Sequence, residues 1–195
     1  MKHFIVAFAL FFALFVPTAV FAADTYVVDP GHSRVGFTVR HLVISKVNGN
    51  FKEFEGTIVF DEKEASRCSV NGTIKTASVD SDNAKRDNDL RDDGFFEAEK
   101  YPTITFQSTK VEKKGEQYLV TGKLTMKNVT REIVLPVKVS GPILAFGGKK
   151  RIGIEGSTTI NRQDYGLTWN KAIEGVGLVV SDEVELNINA EAAVQ

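Results

Sequence analysis

The sequence has one cysteine in 195 residues, three histidines, almost no net charge and a single long apolar run. Each scarcity closes off a class of function. Cys68 alone cannot form an internal disulfide, so stability must come from burial, and its expected role is that of a small buried apolar residue. A formal charge of −1, one unit more negative without Lys2, gives no electrostatic reason to expect nucleic acid or an acidic membrane surface as partner. His32 and His41 are the histidines outside the apolar leader, and along one extended strand they would stand roughly 30 Å apart. They cannot grip one metal without a fold-back, so zinc or copper sites of the usual kind are not expected. Ser33, a histidine and an aspartate could be combined into a triad on paper, but nothing marks that serine as a nucleophile. His32 and Ser33 read instead as the end of a turn after Asp29-Pro30-Gly31.

The one long apolar run, Phe4 to Val16, follows Lys2 and is broken by Pro17. It is too short for a hydrocarbon core that needs about 20 residues. With small residues at Val20-Phe21-Ala22, it reads as a secretory signal peptide over 1–22, cut after Ala22. Residues 23–195 are then the length of a single domain.

What the chain does have is alternation. Ile104 and Phe106, Tyr118 to Leu124, Ile133 to Val139, and Val184, Leu186 and Ile188 place apolar residues at every second position, with Thr, Lys, Glu and Asn between them. A period of two means antiparallel strands with one apolar and one wet face. Strands are expected at Thr25–Val28, Ser33–His41, Thr57–Asp61, Val70–Val79, Thr103–Glu112, Gln117–Met126, Arg131–Ser140, Arg151–Ile160 and Glu183–Ala190. Short turns at Lys113-Lys114-Gly115, Lys127-Asn128-Val129 and Phe146-Gly147-Gly148 suggest an up-and-down meander. Asp82 to Asp93 lacks the β pattern and reads as a short helix, with Asp82 as N-cap and Gly94 as terminator.

The expected class is therefore all-β, closed into a barrel or folded into two sheets. A membrane-spanning barrel fails on the outer set, which holds Lys123, Glu132, Lys138, Glu183 and Glu185 where lipid would demand apolar side chains. Two features favour a cavity over a filled core. Gly72, Gly122 and Gly156 fall on the inner parity, marking either barrel corners or a close approach by something else. The helix offers only Ala84 and Leu90 for burial, which suits a cap over a barrel mouth better than a core element. The charged run Arg86 to Asp93 reads as a solvated helix face, with a head-group or metal site as the rarer meaning.

Tyr26-Val27-Val28-Asp29-Pro30 with His32-Ser33, Phe37, His41-Leu42, Gly49, Phe51, Phe54 and Gly56 resembles the opening of the YceI-like proteins, a polyisoprenoid-binding, lipocalin-like group exported by bacteria. The likeness continues through Ser78-Val79, Arg86-Asp87, Leu90-Arg91, Phe95-Phe96, Tyr101-Pro102 and Phe106 with Ser108. It ends with Gly122 to Thr125, Val129-Thr130, Asn161-Arg162, Tyr165-Gly166 and Asp182-Glu183-Val184. The resemblance implies an extended eight-stranded antiparallel lipocalin-like barrel with a short helical cap, enclosing a tunnel for a long-chain isoprenoid lipid. It implies a carrier or storage role in the periplasm, no catalytic residues and no cofactor beyond the bound lipid.

On this reading the lining comprises Phe37, Val39, Ile58, Phe60, Ile74, Phe95, Phe96, Phe106, Leu124, Leu135, Ile154, Trp169 and Leu186. Arg86, Arg91 and His41 are expected near the entrance, holding a polar head. An isoprenoid quinone or prenyl phosphate is the expected cargo, with no nucleic acid partner and no membrane span; pairing of two copies as a homodimer is left open. Two other classes remain to be separated from a carrier. One is a periplasmic enzyme or accessory acting on a bound quinone or other long amphiphile, and the other a β-sandwich without a cavity.

Overall fold

The computed structural model describes residues 23–174 and 177–195; the signal peptide expected over 1–22 lies outside the described residues. The strands are β1 (Asp24–Val28), β2 (Arg34–His41), β3 (Ser45–Phe51), β4 (Phe54–Phe60), β5 (Ser69–Lys75) and β6 (Val79–Asp80), then β7 (Thr103–Lys114), β8 (Gln117–Met126), β9 (Val129–Leu144) and β10 (Lys150–Asn161). Beyond them come β11 (Ala172–Ile173), β12 (Gly177–Leu178) and β13 (Val180–Val194), and the helix α1 (Ala84–Arg91) lies between β6 and β7.

β1 and β2 follow one another along one edge of β13, β3 and β4 lie alongside them in turn, and β5 and β6 continue the pattern. These three interrupted staves and the five long strands β7, β8, β9, β10 and β13 make a closed eight-stranded antiparallel barrel with one short helix. Each stave pairs with the next in chain order and β13 closes the ring, as an up-and-down meander requires. The pleat delivers the expected sorting. On β8, Tyr118, Val120, Gly122, Leu124 and Met126 are buried while the residues between them are half-exposed or exposed. Outside, Lys123, Glu132, Lys138 and Glu183 are exposed.

Three local expectations need correction. β3 went unrecognised because Asn48, Gly49 and Asn50 are poor strand formers. Pairing with β2 overrides that preference, and the backbone at Gly49 is where the ring of Phe37 lies: a Cβ there would stand 2.3 Å from the ring. The single strand expected over Val70–Val79 is broken by a 3-10 turn at Thr76–Ser78, where the Ser78 hydroxyl donates to the Lys75 carbonyl at 2.7 Å. The helix begins two residues later than Asp82, capped by Asn83, whose Oδ1 accepts the Arg86 N–H at 3.0 Å. Asp82 instead takes a left-handed conformation, with φ of 60°, and donates its N–H to Asp80. The helix ends at Arg91, before Gly94 is reached.

The turn after β8 is tighter than expected. Met126 pairs with Val129, so Lys127 and Asn128 alone make the connection, both at positive φ as a type I′ hairpin turn demands. Apolar side chains gather inside in two clusters, one around Tyr26, Phe60, Tyr118 and Ile152, the other around Phe37, Phe51, Phe96 and Tyr165. Phe106 packs against both and marks the waist between them.

Candidate ligand cavity

The barrel interior is only partly filled by its own side chains. At the α1 end lies a cavity of about 630 Å³, within the ~300–1,000 Å³ usual for small-molecule sites. A second, narrower cavity of about 180 Å³ extends toward the other end. Val35, Leu124, Leu186 and Ile188 line both, so the two compartments adjoin at the waist. The narrow compartment is walled almost wholly by apolar groups from β4, β5, β8, β9 and β10, among them Ile58, Phe60, Ile74, Leu135 and Ile154. The wide compartment is apolar at depth and polar at its opening, where Arg40, His41, Arg86, Asp89, Asp92 and Asp93 stand.

All thirteen residues expected on the lining are placed there. Phe37, Val39, Phe95, Phe96 and Trp169 line the wide compartment, and Ile58, Phe60, Ile74, Phe106, Leu135 and Ile154 the narrow one; Leu124 and Leu186 belong to both. Others of the same parity went unnamed, including Val35, Ile104, Met126, Ile160 and Val184, although the alternation that picked out their neighbours picks them out too. Val47 carried no such signal, because its strand was not recognised.

The short helix reaches its place through polar side chains, since it has no apolar stripe. The backbone N–H and hydroxyl of Ser81 both donate to Asp87, and Arg86 donates from Nε to the Ser81 hydroxyl at 2.8 Å and from Nη2 to its carbonyl. Asp87 is buried in this arrangement. The chain then turns so that Phe95 stacks against Trp169, with ring centres 5.2 Å apart, while Phe96 meets Phe51 edge to face at 5.6 Å. Thus the helix and the turn after it roof the wide compartment.

The three residues expected to hold a head group separate. His41 and Arg86 line the opening. Arg91 does not: its guanidinium donates to the carbonyls of Ala77 and Val79, at 2.8 and 2.7 Å, and to Asn88. Those bonds fasten the end of α1 to the β5–β6 segment, so Arg91 is a strut. Arg162, which was not expected on the lining, also lines the compartment but is fully engaged, donating to the carbonyls of Ser181 and Leu167 and to Asp182. Burial lowers its pKa, opposed by the Asp182 carboxylate.

The residues that suggested chemistry elsewhere are committed to closing the barrel. The Ser33 hydroxyl donates to the Glu191 carbonyl and accepts the Glu191 N–H at 3.0 Å, bridging the break between β1 and β2 to β13. Asp29 caps the turn at Pro30–His32 through Gly31 and pairs with His32 at 3.0 Å. These contacts with His32 and Arg151 hold its carboxyl below the usual range. Asp29, His32 and Glu191 come close enough together to suggest a cation site, but Arg151 bonds to both carboxylates and supplies the positive charge itself. Cys68 is half-buried at the narrow end, where its thiol contacts the Asp61 backbone and burial pushes its pKa up.

Geometry thus defines a class: a closed antiparallel β-barrel with an apolar, two-compartment interior and a polar mouth under a helix. The YceI-like domain model matches residues 26–192, and the chain belongs to the YceI-like family. It is 38% identical to Protein YceI of Salmonella newport (strain SL254), with 100% of each chain aligned. Among solved structures it resembles the YCEI protein of Campylobacter jejuni, at 39% identity and a TM-score of 0.70 over 80% of this chain and 90% of that one. It also resembles BcnA of Burkholderia cenocepacia, at 26% identity and a TM-score of 0.75 over 84% and 98%. A polyisoprenoid-binding domain from Saccharophagus degradans shares the fold at a TM-score of 0.65, with 19% identity over 89% and 99%.

Proposed function

We propose that the protein is a periplasmic carrier or store for a long-chain polyisoprenoid lipid, of isoprenoid quinone or prenyl-phosphate type, held without chemical turnover. The observation that carries this reading is the pair of adjoining apolar cavities along the barrel axis, polar only at the wide opening. A prenyl tail loses about 0.8 kcal/mol of hydration penalty per buried CH₂ group, and ordering the flexible chain offsets much of that gain. A carrier needs no more than a dry tube of the right width.

The head group is assigned to the opening, beside His41 and Arg86, with the tail directed through the waist past Leu124 and Leu186. Support comes from the family and from the polyisoprenoid-binding domain of like fold. The charged outer face speaks against a barrel that spans lipid, and among the described residues no helix is long and apolar enough to cross a membrane.

Freshly purified protein, extracted with organic solvent and analysed by mass spectrometry, should yield a prenyl lipid in near-stoichiometric amount. Extracts free of prenyl lipid, from protein expressed in a host that makes such lipids, would overturn the proposal. An added quinone recovered chemically changed would convict the carrier reading in favour of an enzyme.

A further inference from the structure

Beside the opening of the wide compartment the protein exposes apolar side chains that nothing in the barrel needs. The β2–β3 hairpin ends in Leu42, Val43 and Ile44, with Val43 62% and Ile44 84% exposed. Leu42 and Val43 have φ of 51° and 65°, a region that a β-branched residue such as Val43 rarely adopts, so the tip is held in a costly conformation while showing its side chains to solvent. The Leu42 N–H donates to the Val179 carbonyl, which sets the β11–β12 hairpin against this tip. That hairpin adds exposed Ile173 and Leu178, and Trp169, 42% exposed, stands on the cavity wall close by in sequence.

The cations behind the tip, Arg40, Lys46 and Lys171, outnumber the one carboxylate of the two hairpins, exposed Glu174. Arg40 and Lys46 face each other as a cross-strand pair, both exposed, an arrangement that is destabilising by itself. Neither side chain has an ion-pair partner among the described residues, and the same holds for exposed Lys171 at the base of the second hairpin. Acidic residues of the opening, Asp89, Asp92 and Asp93, belong to α1 and the turn after it. An apolar tip with unpaired cations one or two residues behind it matches a phospholipid interface, where side chains enter the acyl boundary and cations remain at the phosphates.

We propose that this collar docks the protein on an anionic phospholipid bilayer, with the cavity mouth turned toward the membrane. The inference goes beyond the cargo reading, because docking is measured with vesicles that contain no isoprenoid. Trp169 is the single tryptophan of the sequence and stands on the cavity wall beside the collar, so its fluorescence reports on both, and flotation identifies the part that comes from docking.

The mature chain is mixed with vesicles of phosphatidylethanolamine and phosphatidylglycerol, and in parallel with phosphatidylcholine vesicles. Binding is read by flotation and by the Trp169 emission. Expected are flotation with the anionic vesicles, a blue shift, and loss of both in high salt. Ile44→Asp should abolish flotation, and Lys46→Glu should weaken it roughly five-fold or more. Both positions are exposed and outside the cavity wall, so thermal unfolding of Ile44→Asp should match the parent, and that of Lys46→Glu should be no lower, because it replaces a like-charge pair with Arg40 by an opposite one. Absence of flotation by the parent, or flotation untouched by both substitutions, overturns the proposal. So does a parent that sediments as a dimer which Ile44→Asp dissociates, since the collar would then be covered by a second copy. A failure to float overturns docking alone, whereas a failure to recover prenyl lipid overturns the cargo reading alone.

Discussion

Gly122 faces the barrel interior, and a Cβ placed there would lie 2.4 Å from the ring of Phe106 and 2.7 Å from the Gln107 carbonyl. Its glycine is not part of the cavity wall: it is the floor on which an aromatic ring rests, as Gly49 is for Phe37, and it lies opposite the register shift between Ser108 and Lys110 of β7. Gly122→Ala should therefore cost about 1–3 kcal/mol, read from urea denaturation, because backbone on one side and a ring between two clusters on the other leave little room to relax. Tyr165 presents the opposite case. Its hydroxyl is buried with no hydrogen-bond partner among the described residues, and burial pushes its pKa up to about 12. Tyr165→Phe removes a desolvated polar atom and should stabilise the protein by about 1 kcal/mol in the same measurement. The raised pKa means that the titration of Tyr165 leaves stability undiminished below about pH 10, the unfolded value, and lowers it as pH climbs toward about 12. The phenylalanine variant should accordingly lose less stability than the parent across that alkaline interval.

At the scale of elements, α1 shows how a helix of eight residues is retained without an apolar face. Asn83 caps its start, Asp87 sits in its first turn and is buried against Ser81, and Arg91 in its last turn reaches back to two carbonyls. Asn83→Ala should lower global stability by about 1 kcal/mol or loosen the roof locally, seen as faster amide exchange of Asp87 to Arg91 than of β8. Most of this element was legible in the sequence as an interruption of the β pattern, but its start was not. Asp82 and Asn83 are both good caps, and the choice fell to Asp80, whose carboxylate takes the Asp82 N–H and leaves Asn83 in the extended conformation a cap requires. β3 was illegible for a related reason: its local preference points to a turn, and only a partner strand turns it into a stave.

At the scale of the whole molecule, the interior has two regimes. Each end has its own apolar cluster, but the narrow end encloses about 180 Å³ and the wide end about 630 Å³. Leu186, which lines both compartments, is the place to test whether cargo uses both. Leu186→Trp should narrow the waist and shift extracted lipid toward shorter chains or lower occupancy, with the β-sheet circular dichroism retained. Stability against pH should follow five carboxylates at the surface, four of them half-buried. Asp29, Asp61, Glu64, Asp80 and Glu97 are all held below their ordinary values, by His32, the Lys63 N–H, Ser66, the Asp82 N–H and Lys127 respectively as the leading partners. Their contribution is present above the unfolded carboxylate values near pH 4 and is lost as pH falls through the lower folded ones. The melting temperature should thus stay level from about pH 5 to 8 and drop below about pH 4, with salt blunting the drop because these groups retain contact with solvent.

The sequence by itself determined which side chains of the long strands face inward and that one helix interrupts the β pattern. A pleated strand sorts its residues by parity whatever its neighbours do, and short turns leave consecutive strands no other partners. Only the tertiary structure decided that closure leaves space at one end and packs the other, that Arg91 and Ser33 serve the scaffold, and that Gly122 gives way to a ring. Those outcomes depend on which side chains meet across the barrel, a distance that no local pattern along the chain encodes.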